Sequence, residues 1–216
     1  MVDITTQEEP SIEEAPERGN EEELELIDES ESTERSKKVV VASVLASLSI
    51  AAAPIAQIVP RIPGWGIAIF DPVSIFWVVS FLLGGIWVGL VSSVAGTLGL
   101  FLYDPTAIGP VMKLIATLPM IVVPWLGVRR LKVEVRGESL SNERLFLKLM
   151  IIAFILRLIL MVPINLIYGA VAFPFLTMEY ITIFAIILNG LQSVWDALIP
   201  FILVHKTSVF KVFKMW

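Results

Sequence analysis

Residues 145–172 read LFLKLMIIAFILRLILMVPINLIYGAVA, and this stretch decides the fold class. Its only charged residues are Lys148, near the start, and Arg157, near the middle. A helix needs about 20 predominantly apolar residues to cross the hydrocarbon core of a bilayer. The stretch therefore predicts a transmembrane helix that carries an arginine at its centre.

Other stretches of the chain have the same character. The candidate spans cover residues 39–59, 67–83, 85–103, 108–128, 145–172 and 180–204. The division between the second and third rests on Gly84 and Gly85 alone, and a re-entrant segment is the alternative there. With 56% hydrophobic residues and a mean hydropathy of +0.81, the composition is that of a membrane protein. We expect an all-α, multi-pass protein of the cell membrane with six transmembrane helices.

The charge of the chain separates it into two regions. Residues 1–36 hold 14 acidic and 2 basic residues, a net charge of −12, and few apolar residues. Such a composition predicts a disordered cytoplasmic tail. Residues 37–216 carry a net charge of +7 and form the predicted transmembrane domain. Topology explains their positive charge, because most of the basic residues lie in loops, so we expect no nucleic-acid partner.

The basic residues also predict the orientation in the bilayer. Lysine and arginine concentrate in cytoplasmic loops of membrane proteins. Here they precede the first span, follow the fourth and follow the sixth: Lys37, Lys38, Arg129, Arg130, Lys132, Arg136, Lys206, Lys211 and Lys214. Six spans with both termini in the cytoplasm satisfy this pattern.

Away from their ends, the predicted spans carry three charges: Lys113, Arg157 and Asp196. Ionisable residues at bilayer depth are costly and mark functional sites by default. Arg157 and Asp196 lie on successive spans, and we expect them to form a structural ion pair because each would otherwise be an unpaired charge in a low dielectric.

Amide side chains accompany these charges. Asn189, Gln192 and Asp196 are spaced i, i+3 and i+7, which places them on one helix face. We predict that Lys113, Asn165, Asn189 and Gln192 line a substrate-binding pocket open to the outside, since amides offer donors and acceptors together. Two alternatives remain: the amides only bridge helices, and Lys113 extends to the interface.

Several catalytic classes are excluded by absent motifs. The sequence has no cysteine, no phosphate-binding loop of the G-x-x-x-x-G-K-[ST] type and no H-E-x-x-H zinc motif. Its single histidine, His205, lies at the end of the sixth span, so no Ser-His-Asp set is plausible. We expect no enzymatic activity, no metal and no cofactor.

The first span carries small residues four apart, Ala42 and Ala46, a spacing that lets another helix approach closely. Packing within the bundle and contact with a partner protein are both possible uses of this spacing.

The order of the motifs resembles the substrate-binding S components of energy-coupling factor (ECF) vitamin transporters. A proline-rich loop leads into Asp71-Pro72, LLGGIWVGL follows at residues 82–90, and GPVMKLIAT follows at residues 109–117. The resemblance covers about residues 38–205. It is greatest to the riboflavin-specific members, whose fifth span carries an asparagine like Asn165 and whose sixth carries one like Asn189, with Gln192 here in place of a lysine.

The resemblance implies a high-affinity binder of riboflavin or a related vitamin that serves an ABC importer. It adds Asp71 to the candidate substrate-binding residues. It also implies a transmembrane T component and two ABC ATPase subunits as partners, with Ala42 and Ala46 facing the T component. The alternative is a stand-alone secondary transporter or channel for a small polar solute.

Overall fold

The computed structural model describes residues 18–63, 68–130, 137–207, 209–213 and 215–216, with only the backbone for residues 18–30, 57, 211 and 212. The described elements are helical. They are α1 (Arg18–Ile58), α2 (Val73–Leu100), α3 (Ile108–Arg130), α4 (Glu143–Ala172), α5 (Met178–Phe201) and α6 (Val209–Phe213), with a 3₁₀ turn at Glu138–Ser141 and a π-helical turn at Ile202–Lys206 after α5. The predicted all-α class is confirmed.

Five of these helices are long and apolar enough to cross a membrane. The candidate spans are Glu31–Ala56 within α1, α2, α3, α4, and Met178–Lys206, which joins α5 to its π-helical turn. The protein is therefore a multi-pass membrane protein, as the sequence predicts. The count differs from six because the second and third predicted spans lie within one helical element, α2.

The two halves of α2 fold back on each other at Gly85. Gly85 has φ 77° and ψ −169°, a conformation that glycine adopts far more readily than other residues. In a straight helix, Phe81 and Gly89 would be about 12 Å apart. Instead, a Cβ atom on Gly89 would lie 2.7 Å from Cβ of Phe81 and 3.0 Å from its Cα. The two arms of α2 are thus in direct contact, with Gly89 allowing the close approach.

Trp216 covers the turn at Gly85. Nε1 of Trp216 donates a hydrogen bond of 2.8 Å to the carbonyl oxygen of Leu82. The indole ring meets Phe81 edge-on, with 5.3 Å between ring centroids, and lies against Gly85 and Gly137. The interior of this end of the bundle is apolar, and its packed core includes Leu140, Phe146, Phe201 and Met215.

The chain divides into two units, Met1–Ser36 and Lys37–Trp216. Helical backbone begins at Arg18, within the segment for which the sequence predicts a disordered tail. Glutamate and leucine, which are frequent after Arg18, both favour helix. The disorder predicted for residues 1–17 concerns a segment outside the described residues.

The small residues of α1 face the bundle. Ala42 and Ala46 are 2% and 4% exposed, and Ser49 on the same side accepts a 3.0 Å hydrogen bond from Nε1 of Trp77 in α2. The spacing of the two alanines therefore serves packing within this chain. Val40 and Val44 lie on the exposed side of α1 instead.

Candidate binding cavity

A cavity of about 470 Å³ lies where α2, α3 and α5 begin and α4 ends. This volume is within the range of about 300–1,000 Å³ typical of small-molecule sites. Its walls come from the loops before α2 and α3 and from all five long helices. Arg61 and Tyr103, both exposed, belong to the lining, so the cavity reaches the surface of the bundle.

The five predicted substrate-binding residues all line this one cavity: Asp71, Lys113, Asn165, Asn189 and Gln192. They come from the start of α2, from α3, from α4 and from α5, and only the tertiary structure brings them together. Arg157 lines the same cavity, although the sequence predicted only an ion pair for it.

Arg157 is the centre of the polar network. Its Nη1 donates to Oδ2 of Asp196 at 2.8 Å, which is the ion pair expected from the sequence. Its Nε donates to Oδ1 of Asn189 at 2.9 Å, and its Nη2 donates to Oε1 of Gln192 at 2.7 Å. The three residues spaced i, i+3 and i+7 on α5 thus bind one guanidinium.

Asp196 has a second partner on α2. The hydroxyl of Ser74 donates to Oδ1 of Asp196 at 2.7 Å, so both carboxylate oxygens accept a hydrogen bond. Only 2% of the Arg157 side chain and 1% of the Asp196 side chain are exposed. A buried ion pair requires such additional hydrogen bonds to offset the loss of hydration.

Asn165 is bonded differently from the two amides on α5. It is 2% exposed, and its Nδ2 donates to the carbonyl oxygen of Met161, one turn earlier in α4, at 2.7 Å. Among the described residues, no group donates to its Oδ1. Asn165 therefore offers an acceptor to the cavity, and its side chain forms no bridge to a neighbouring helix in this structure.

Lys113 forms an ion pair with Oδ2 of Asp71, and their side chains are 15% and 18% exposed. Oδ1 of Asp71 accepts from the backbone N–H of Val73 at 3.0 Å, in the first turn of α2. Asp71 thus holds the start of α2 and balances the charge of Lys113. Lys113 is turned into the bundle and does not extend to the interface.

The loops at the cavity are held by specific hydrogen bonds. Oδ1 of Asp104 accepts from the backbone N–H and the hydroxyl of Thr106, and Oδ2 accepts from the N–H of Gly109 at 3.1 Å. The loop before α2 is tied to α5 by the hydroxyl of Tyr180, which donates to the carbonyl oxygen of Pro63 at 2.7 Å.

Several lining residues were not singled out as candidates from the sequence: Arg61, Ser74, Tyr103, Asp104, Met112, Thr117, Met161 and Tyr168. One signal was available for Thr117 and Tyr168, because both share a helix face with a predicted residue, four positions after Lys113 and three after Asn165. Ser74 carried no such signal, since serine is common in transmembrane helices that pack closely.

Comparison of the chain with protein-family models, with curated proteins and with solved structures finds no match.

Proposed function

We propose that this protein is the substrate-binding subunit, or S component, of an ECF-type importer and that it binds riboflavin or a related vitamin. One observation carries the proposal: the polar residues of the predicted spans surround a single cavity of about 470 Å³ that reaches the surface. Polar groups that only joined helices would have no need of a cavity that opens to the surface.

The orientation of the cavity agrees with uptake from outside. The cavity lies at the end of the bundle where α4 ends, whereas Arg129, Arg130 and Lys206 lie at the other end. Basic residues mark the cytoplasmic side, so the cavity faces outward.

The fold-back at Gly85 supports the proposed topology of six segments. Counted as one crossing, α2 would leave five crossings and place the two chain ends on opposite sides. Counted as a hairpin of two short arms, it gives six segments with both ends in the cytoplasm, as the basic residues require. The arms before and after Gly85 measure about 18 and 22 Å at 1.5 Å per residue, which makes them shorter than ordinary crossings.

Partners of this proposed importer would contact the face of α1 that is directed away from the bundle. The buried Ala42 and Ala46 are unavailable, but Ser43, Ser47 and Ala51 form a second four-residue spacing that is exposed. We expect Ser47→Leu to weaken co-purification with the T component and the two ATPase subunits. Ala170→Leu, which adds the same bulk to an exposed position of α4, is the control and should assemble normally.

The first experiment identifies the ligand. The protein is purified in mild detergent without added ligand, its absorption spectrum is recorded, and any bound compound is released and identified by mass spectrometry. A yellow preparation with flavin bands supports riboflavin, and a different released vitamin supports the S component with another specificity. An empty protein that also binds no member of a vitamin panel contradicts the proposal.

Asn165→Ala tests whether the cavity is the binding site. This change removes an acceptor and leaves the hydrogen bonds of Arg157 intact, because the partners of Arg157 are Asn189, Gln192 and Asp196. A ligand group left unpaired costs about 1–3 kcal/mol, which is about 5- to 150-fold in affinity. Thr182→Val, whose hydroxyl donates to the carbonyl oxygen of Met178 outside the cavity, is the control.

A stand-alone secondary transporter is the second candidate, because a buried pair such as Arg157 and Asp196 is also typical of proton-coupled carriers. Proteoliposomes that contain this chain alone separate the two functions. Uptake driven by a proton gradient without any ATPase would favour the transporter.

A further inference from the structure

Arg157 determines which way two amide side chains of the cavity face. A guanidinium carries only N–H donors, so an amide in contact with it can present only its oxygen. Oδ1 of Asn189 and Oε1 of Gln192 lie 2.9 and 2.7 Å from nitrogens of Arg157. The NH₂ groups of both amides are therefore directed away from Arg157.

These three residues retain donors that the protein does not use. Nε2 of Gln192 donates to no acceptor among the residues that the structure describes. Nδ2 of Asn189 donates one N–H to the carbonyl oxygen of Ala185 at 2.8 Å and keeps the other. Arg157 has five N–H groups, of which three have acceptors. All three residues line the cavity, and we call them the donor floor.

Two side-chain acceptors, on Asp196 and Asn165, do not compensate for these donors. The carboxylate of Asp196 is bonded to Arg157 and Ser74. Oδ1 of Asn165 accepts no hydrogen bond from the described residues. Asn165 follows Arg157 by eight residues in α4, so their backbones are about 12 Å apart along the helix axis. The donor floor therefore faces the cavity with donors only.

The charge near the donor floor is balanced. Asp196 neutralises Arg157, and Asp71 neutralises Lys113. A ligand that brought a net charge to this part of the cavity would find no unpaired countercharge on these residues. The complementary ligand group is an uncharged one with several acceptors.

We propose that the donor floor binds an uncharged heterocyclic ring through an edge on which a carbonyl oxygen stands beside a ring nitrogen acceptor. This inference rests on the proposed function and specifies the chemistry of its substrate. In riboflavin, N1 with the C2 carbonyl and N5 with the C4 carbonyl form such edges. The imide edge at N3 places a donor between two carbonyls, so it faces another wall of the cavity.

A ligand-side test uses the unmutated protein. Riboflavin, 1-deazariboflavin and 5-deazariboflavin are titrated in detergent, with binding followed by fluorescence quenching. Each analogue replaces one ring nitrogen with C–H and so removes one acceptor. We expect one of the two analogues to bind about tenfold or more weakly than riboflavin, because a donor of the floor stays unpaired, and the other to bind like riboflavin.

A protein-side test uses Gln192→Glu. Glutamate still offers an oxygen to Arg157, but it replaces the two N–H donors with an acceptor. We expect riboflavin affinity to fall about 10- to 100-fold. The deaza analogue that binds the unmutated protein more weakly than riboflavin should bind this variant with nearly the same affinity as riboflavin. Ser193→Ala, on the same helix but outside the cavity lining, is the matched control and should bind riboflavin normally.

The outcomes separate the inference from the proposed function. Equal affinity for the three flavins, or riboflavin binding that Gln192→Glu leaves intact, overturns the donor floor and leaves the vitamin-binding function standing. Failure of the unmutated protein to bind riboflavin, folate, biotin or thiamine overturns both. If folate binds instead, Gln192→Glu must weaken folate binding equally for the inference to hold, because its pterin ring has the same kind of edge. If only biotin or thiamine binds, the inference is overturned, because neither has a ring carbonyl beside a nitrogen acceptor. If Gln192→Glu does not fold, the deaza comparison decides.

Discussion

Beneath the cavity, Arg157 and Asp196 form an ion pair with 2% and 1% of their side chains exposed; at the opposite end of the bundle, Lys206 and Glu143 form one with 54% and 66% exposed. The two pairs join α4 to the α5 region in the same way, but their surroundings differ. Water solvates the second pair whether or not it forms, whereas the first can stay charged only while it is paired. An acidic and a basic residue thus stabilise the polar network of the candidate cavity at one end and contribute little at the other.

The largest effect is expected from breaking the buried pair. Asp196→Ala leaves Arg157 without its carboxylate and Ser74 without its acceptor, and it should lower the free energy of unfolding by about 3–5 kcal/mol. The measurement is the thermal unfolding midpoint in detergent.

Glu143→Ala breaks the exposed pair and is the matched control, with an expected change close to zero. The double variant Arg157→Met/Asp196→Leu should recover much of the stability lost in Asp196→Ala, because it removes the unpaired charge. Equal destabilisation by Asp196→Ala and Glu143→Ala would remove the distinction between the two pairs.

The next largest effect is expected at the turn of α2. Gly85→Ala places a side chain at φ 77° and ψ −169°, where only glycine is commonly found, and should cost about 1–3 kcal/mol. The cost comes from the backbone, because the added Cβ would lie 3.7 Å from the Trp216 ring, an ordinary contact.

Gly190→Ala is the control for this change. A Cβ at Gly190 meets no atom within 4 Å, and alanine favours helix over glycine by about 1 kcal/mol, so this variant should be as stable as the original or more so. Unfolding midpoints of the two variants test the fold-back directly. A Gly85→Ala protein as stable as Gly190→Ala would contradict the backbone geometry at the turn.

The smallest effect on stability is expected at Trp216, at the end of the bundle opposite the cavity. Trp216→Phe keeps an aromatic ring but removes the donor to the Leu82 carbonyl, and it should cost about 0.5–1.5 kcal/mol. Trp87→Phe, at a position that is 68% exposed, should change stability less. Ligand affinity should be unaffected by either variant, because neither residue lines the cavity. A loss of binding in Trp216→Phe would show that the two ends are coupled.

The sequence predicted which polar residues face inward better than it predicted their contacts. The cost of a polar group in lipid alone indicated that Lys113, Asn165, Asn189 and Gln192 face inward, and all four line the cavity. That cost does not identify the partner of each residue. Asn189 and Gln192 turn their oxygens to Arg157, which the helix periodicity could not show.

The substitution at position 192 illustrates the same limit. The resemblance to riboflavin-binding members would place a lysine there, and the sequence alone shows only the loss of a charge. The structure supplies a physical reason for glutamine: Arg157 needs an acceptor at this point, and a lysine offers none and would add a second cation.

The sequence by itself determined the membrane environment, the helical class and the inward-facing residues, because each follows from local composition and from the period of a helix. The tertiary structure decided which polar atoms meet across α4 and α5, and that α2 folds back at Gly85 instead of crossing straight. It also turned Ala42 and Ala46 into the bundle. Each of these outcomes depends on the rotation and contact of helices distant in the chain, which no local pattern of residues specifies.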